Sequence, residues 1–100
     1  MKKMFHKEQN ELLLLKYWGH EDTAKVMTAI ENDNTDSMLF SEFLDHCTAT
    51  GGNWNKMLLT GIYELYPKVW EAIPDDMGVN AFSCLCAVLE LCGVESKEED

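Results

Sequence analysis

The chain contains no arginine, and its eight basic residues are all lysines. Affinity for nucleic acid comes from neutralising phosphates with basic side chains, so a shortage of such residues works against it. Eighteen acidic residues outnumber the lysines and give the 100-residue chain a formal net charge of −10. The sequence therefore predicts no direct binding to DNA or RNA.

A long uninterrupted apolar run is also lacking. The leucine run at residues 12–15 is too short for the hydrophobic region of a signal peptide. The most apolar segment, residues 81–94, contains Glu90 and falls short of the ~20 residues that a membrane-spanning helix needs. We therefore expect a cytoplasmic protein with no membrane contact, located in the host cytoplasm if a phage encodes it.

Motifs of catalysis and of metal or cofactor binding are missing as well. The spacing of a phosphate-binding P-loop is absent around Gly51 and Gly52. No CxxC or HxxxH pair supplies zinc ligands. His46 and Cys47 are neighbours on a predicted helix, so their side chains point about 100° apart and cannot form the hydrogen bond of a thiol active site. The sequence thus predicts no enzyme, no cofactor and no metal site.

The four cysteines fit the same interpretation. Three of them, Cys84, Cys86 and Cys92, lie in one apolar run, whereas the fourth, Cys47, lies elsewhere. Cysteine in such surroundings behaves as a small hydrophobic residue, and a cytoplasmic compartment keeps it reduced. We expect four free thiols.

What the chain does contain is hydrophobic spacing of the helical kind along most of its length. Hydrophobic residues make up 46% of the sequence, which is enough to bury roughly two-thirds of the surface in one core. The pattern breaks at glycines, prolines and Asn/Asp clusters. The predicted helices cover residues 4–18, 20–31, 37–47, 54–73 and 80–92. No segment alternates as a strand does.

Helix boundaries follow from particular residues. Gly19 is expected to end the first helix, and Asp36 and Asn53 are expected to cap the third and fourth. Pro67 kinks or divides the fourth helix because it cannot donate a backbone hydrogen bond. The predicted fold class is all-α, a single compact domain of about five to six short helices at residues 1–94, followed by an acidic disordered tail at residues 95–100.

The last predicted helix is apolar nearly all round. Between residues 80 and 92 only Ser83 and Glu90 are strongly polar. A helix of this kind lies at the centre of a fold or in an interface. The segment 80–92 is therefore also a candidate contact in a homo-oligomer.

Residues 31–44 resemble the second half of a calcium loop of the EF-hand family. Asp33 occupies loop position 3, and Glu42 occupies position 12, where that family has a bidentate ligand. The first half departs from the pattern, because Glu31 replaces the usual aspartate at position 1 and Asp36 replaces the glycine at position 6. The resemblance keeps a calcium-binding module as an alternative to an Asn/Asp-rich loop between helices.

Acidic residues are concentrated in two places. No lysine lies between Lys25 and Lys56, and a second acidic group surrounds Pro67. An exposed tyrosine among carboxylates is a reasonable contact residue, because tyrosine is favoured at interface hot spots. The candidate partner-binding residues are Asp33, Asp36, Glu42, Asp45, Tyr63, Glu64, Glu71, Asp75 and Asp76.

These features predict a small acidic non-enzymatic protein that binds a basic surface of a protein partner. By size, charge and lack of catalytic residues it is similar to inhibitors from phages and mobile elements, including anti-CRISPR and nucleic-acid-mimic proteins. That similarity implies that it blocks a nucleic-acid-binding surface of a host protein. The alternatives are the divalent-cation (calcium) module, a structural subunit of a homo-oligomer, and an acidic surface that serves solubility alone.

Overall fold

Helices account for most of the computed structural model, which describes residues 2–33, 35–48 and 51–95. The elements follow in the order α1 (Lys2–Asn32), β1 (Met38–Leu39), α2 (Phe40–Leu44), α3 (Trp54–Leu65), α4 (Pro67–Ala72), α5 (Ala81–Leu91) and β2 (Val94–Glu95). The predicted all-α class is confirmed, since the two strands contribute only two residues each. Residues 96–100 of the predicted acidic tail lie outside the described ranges.

Gly19 divides α1 into two helical segments. Its backbone angles, φ 88° and ψ 171°, are not helical and lie where glycine is favoured. The predicted break at this residue is confirmed. Trp18, immediately before the break, is buried and donates a hydrogen bond from Nε1 to the carbonyl of Met77 at 3.2 Å. This bond ties the bend in α1 to the connection between α4 and α5.

The core is built around α5, which packs against α1 and α3. Leu14 and Val26 enter it from the two segments of α1, and Leu58 and Ile62 enter it from α3. The buried residues of α5 are Ala81, Cys84, Leu85, Ala87, Val88 and Leu89. Residues 81–91 are thus largely apolar because α5 lies at the centre of the core.

The two strands were not predicted. They run parallel, with Met38 opposite Val94 and Leu39 opposite Glu95. The amide of Met38 also donates to the carbonyl of Gly93 at 3.0 Å. A strand of two residues is too short to show the alternation by which strands are recognised. Glu95, which we predicted to begin the tail, therefore lies in β2.

The third predicted helix is shorter than expected, and Asp36 does not cap it. Residues 35–37 are not helical, and the helix begins only at Phe40, after an N-cap at Leu39. The backbone amide of Leu39 donates to Oε1 of Glu42 at 3.0 Å. Pairing with β2 draws residues 38–39 into a strand, so the prediction of a cap at Asp36 was wrong.

Two features of α3 and α4 agree with the sequence. Oδ1 of Asn53 accepts a hydrogen bond from the amide of Lys56 at 3.1 Å, which confirms the predicted N-cap. Pro67 is the first residue of α4, so the proline divides the fourth predicted helix in two. A proline is well placed at the start of a helix because no intrahelical bond needs its amide there.

Gly61 allows α2 to approach α3 closely. A Cβ atom at this residue would lie 2.6 Å from Cζ of Phe43 and 2.8 Å from Sγ of Cys47. Only glycine fits against these atoms without a shift of the neighbours. The contact fixes the segment after α2 against the side of α3, where the candidate site lies.

Candidate protein-binding groove

A groove runs along one face of α3. Lys56, Leu59, Thr60, Tyr63 and Glu64 line it, and their spacing of three and four residues places them on one side of the helix. The volume of the groove is about 850 Å³. This face lies beside the buried stripe of α3, so the core holds the helix while the groove stays accessible to a partner.

The walls of the groove come from two other segments. Trp70 of α4 stands on one side, and His46 and Thr48 line it from the chain that follows α2. The amide of Thr48 donates to Oγ1 of Thr60 at 3.0 Å, and that hydroxyl donates to the carbonyl of Met57 at 2.7 Å. These bonds hold the wall in place before any partner binds.

An aromatic pair forms the apolar part of the lining. The rings of Tyr63 and Trp70 are 4.9 Å apart between centroids and meet at 75°, an edge-to-face arrangement. Tyr63 is 59% exposed and Trp70 is 40% exposed. The predicted exposure of Tyr63 is confirmed. Core packing is the usual role of tryptophan, but Trp70 and Trp54 are both exposed.

A carboxylate and an imidazole meet at the groove. Oε2 of Glu64 lies 3.1 Å from Nδ1 of His46, within hydrogen-bond distance, and the side chains are 59% and 38% exposed respectively. An exposed pair of this kind adds little stability. Its effect is local, because the bond orients the Glu64 carboxylate beside the aromatic pair.

The predicted partner-binding residues divide into two groups. Tyr63 and Glu64 line the groove, and the exposed residues Asp45 and Glu71 adjoin the lining residues His46 and Trp70 in sequence. The others lie outside the lining, at Asp33, Asp36, Glu42, Asp75 and Asp76.

Asp33 has a structural role. It is half-buried, and its Oδ2 accepts a hydrogen bond from the amide of Val69 at 3.0 Å. Val69 lies in the first turn of α4, where amides lack intrahelical partners and a negative charge is favourable. Nearby, Nζ of Lys68 donates to the carbonyl of Asn32 at 3.3 Å. Together these bonds join the end of α1 to the start of α4.

Two further carboxylates bind backbone amides locally. Glu42 accepts from Leu39, as described above, and Oδ1 of Asp76 accepts from the amide of Gly78 at 3.2 Å. Asp36 and Asp75 are exposed. Both carboxylates on which the calcium-loop resemblance depends, Asp33 and Glu42, therefore hold backbone amides. Within the described ranges, no three His, Cys, Asp or Glu side chains form a group that could hold a metal ion.

The four cysteines are free, as predicted. Burial raises the pKa of the Cys47 thiol; a hydrogen bond with the backbone of Gly61 partly offsets this, and the charge of Glu64 raises the pKa further. Burial likewise raises the pKa of Cys92 to about 12, with the charge of Asp33 adding to the effect. Because the thiolate is the nucleophile, a raised pKa makes both thiols unreactive near neutral pH.

Comparisons of the chain with protein-family models, with curated proteins and with solved structures found no match. Among the described helices, none combines the length and the hydropathy that crossing a bilayer requires. The groove and the net charge of the chain are therefore the features that bear on its function.

The candidate residues predicted from the sequence include Tyr63 and Glu64 of the groove lining and omit the rest of it. The spacing of Lys56, Leu59 and Thr60 with Tyr63 marks one face of α3, and this signal was available in the sequence. His46 and Trp70 reach the groove only through the packing of α2 and α4 on α3. No local pattern predicts that packing.

Proposed function

We propose that this protein is a non-enzymatic binding module that holds another protein in the groove of α3. The exposed pair of Tyr63 and Trp70 carries the proposal. Aromatic side chains that cluster in a groove and are rimmed by polar residues have the composition of an interface hot spot. Glu64 contributes a negative charge to the groove, and the chain as a whole is strongly acidic.

The partner that fits this rim has a basic surface. A net charge of −10 attracts such a surface over a distance and speeds the encounter. In its most concrete form, the proposal is that the protein covers a nucleic-acid-binding surface of a host protein in the cytoplasm, as phage-encoded inhibitors do. Support for this form comes from charge alone, whereas the groove supports protein binding in general.

Affinity capture with the tagged protein from host lysate tests the proposal. The captured protein is identified by mass spectrometry, purified and bound to the wild type and to Trp70→Ala and Glu64→Gln variants. Each substitution is expected to weaken binding at least tenfold, because Trp70→Ala removes half of the aromatic pair and Glu64→Gln removes the carboxylate charge of the lining. Asp75→Asn is the matched control for Glu64→Gln, since it removes one charge from an exposed residue outside the lining and should weaken binding much less than tenfold.

Two results would contradict the proposal. One is a captured partner whose affinity is the same for the wild type and for both groove variants. The other is a partner without a basic surface, whose binding does not respond to salt.

A further inference from the structure

We infer that the groove recognises an arginine side chain of the partner, which packs against the aromatic pair of Tyr63 and Trp70 and pairs with Glu64. This inference rests on the proposed function and names the chemistry of the same site. Exposed aromatic faces carry partial negative charge and attract a cation within about 6 Å of the ring centroid. Because the two rings meet at 75°, they present faces in two directions.

Arginine fits this site better than lysine does. Its guanidinium group is planar, stacks on aromatic faces and offers a fork of donors that matches a carboxylate. Tyr63 and Glu64 both line the groove, so the ring and the carboxylate are accessible to the same side chain of a partner.

His46 orients the Glu64 carboxylate that accepts hydrogen bonds from the arginine. Its bond to Oε2 of Glu64 restricts the carboxylate before the partner arrives, which reduces the entropy lost on binding. A carboxylate can accept through both oxygens, so a donor from the partner can join His46 on Glu64.

The opposite end of the groove has the opposite charge. Lys56 lies eight residues before Glu64 on the same face of α3, a separation of about 12 Å along the helix axis. Leu59 lies between them in the lining. An extended segment covers this distance in roughly four residues. The matching ligand therefore has an arginine, an apolar residue in the middle, and an acidic residue about four positions from the arginine.

Blocked peptides titrated into the isotope-labelled full chain test the inference. The first probe contains Arg-Gly-Leu-Gly-Asp, and the second replaces arginine with citrulline, which has the same shape without the charge. We expect saturable NMR shifts of the Trp70 indole NH and of amides along α3. The arginine peptide should bind about tenfold more tightly, a difference of about 1.4 kcal/mol.

Variants assign the preference to Glu64 and to Lys56. Glu64→Gln should reduce the preference for arginine to the part that the aromatic rings supply, while leaving the citrulline peptide at its wild-type affinity. Lys56→Gln should weaken the peptide with aspartate and leave unchanged a peptide that has asparagine there. Both residues are exposed, so matching circular dichroism spectra and unfolding curves serve as the check on folding.

Three outcomes would overturn the inference. They are equal affinity for the arginine and citrulline peptides, an arginine preference that Glu64→Gln leaves unchanged, and no shift in the groove with either peptide. Partner capture distinguishes the two proposals. If capture depends on the groove while the peptides show no arginine preference, only the inference fails; if capture is independent of the groove, the proposed function fails.

Discussion

At the scale of single residues, Gly61 shows how one side chain's absence determines the geometry of the site. Replacing Gly61 with alanine gains helix propensity of about 1 kcal/mol at best. The new Cβ would lie 2.6 Å from Phe43, however, and overpacking of this kind costs about 1–3 kcal/mol. We expect Gly61→Ala to lower the free energy of unfolding in urea and to displace the wall that carries His46.

A double-mutant cycle separates the clash from other effects. In a Phe43→Leu background the ring atom nearest to the new Cβ is gone, so Gly61→Ala should cost less than it does in the wild type. Equal costs in the two backgrounds would show that the Phe43 ring is not the cause.

Tyr66 is a second residue at which one group lowers the stability of the fold. Its ring is buried, and among the described residues its hydroxyl has no hydrogen-bond partner. A buried hydroxyl without a partner costs about 1–3 kcal/mol. Tyr66→Phe keeps the ring and removes that cost, so the variant should be at least as stable as the wild type in urea unfolding. A clear loss of stability would mean that the hydroxyl is satisfied in solution.

At the scale of elements, Asp33 connects two helices that are far apart in sequence. Asp33→Ala removes the acceptor for Val69 at the start of α4 and should lower the free energy of unfolding by about 1 kcal/mol. Asp36→Ala is the matched control, since Asp36 is exposed and did not prove to be a cap; its effect should stay within about 0.5 kcal/mol. Urea unfolding of both variants checks this.

The same comparison tests the sequence-based assignment of both residues to a binding surface. If Asp33 acts in the fold alone, Asp33→Ala should weaken partner binding no more than its loss of stability explains. A large loss of affinity at unchanged stability would instead show that Asp33 contributes to partner binding.

The sequence predicted elements well where the signal is local. Gly19, Asn53 and Pro67 each mark a boundary that the structure has, because a positive φ, a capping oxygen and a missing amide act within one turn of the chain. The strands were missed because β1 and β2 depend on pairing between residues 38–39 and 94–95. Only tertiary folding brings these segments together, and it also displaces the start of α2.

At the scale of the whole molecule, buried thiol and phenol groups determine how stability responds to alkali. The ordinary pKa values of cysteine and tyrosine are 9.0 and 10.0, and burial raises the pKa values of Cys92 and Tyr66 to about 12. Above pH 9 the unfolded chain releases these protons while the folded chain retains them. Stability is therefore complete below about pH 9 and decreases as the pH rises toward 12.

Urea unfolding between pH 7 and pH 11 checks this dependence. Each titrating group contributes up to about 1.4 kcal/mol of lost stability per pH unit between its two pKa values. Tyr66→Phe removes one group without changing the packing, so its stability should decrease less steeply above pH 10 than that of the wild type. If stability decreases equally steeply with pH in Tyr66→Phe and in the wild type, groups other than Tyr66 cause the loss of stability in alkali.

The groove and the net charge should act on different steps of partner binding. Charge acts over about 10 Å at 0.1 M salt, so raising the salt should slow association while changing dissociation little. Asp75→Asn with Asp76→Asn removes two exposed charges outside the groove and should likewise slow association only.

Tyr63→Ala leaves the charge unchanged but removes half of the aromatic pair, so it should speed dissociation about tenfold or more. Surface plasmon resonance with the captured partner measures both rates. If Tyr63→Ala changes neither rate while salt changes association, the acidic surface binds the partner without the groove, and the −10 charge alone explains the affinity.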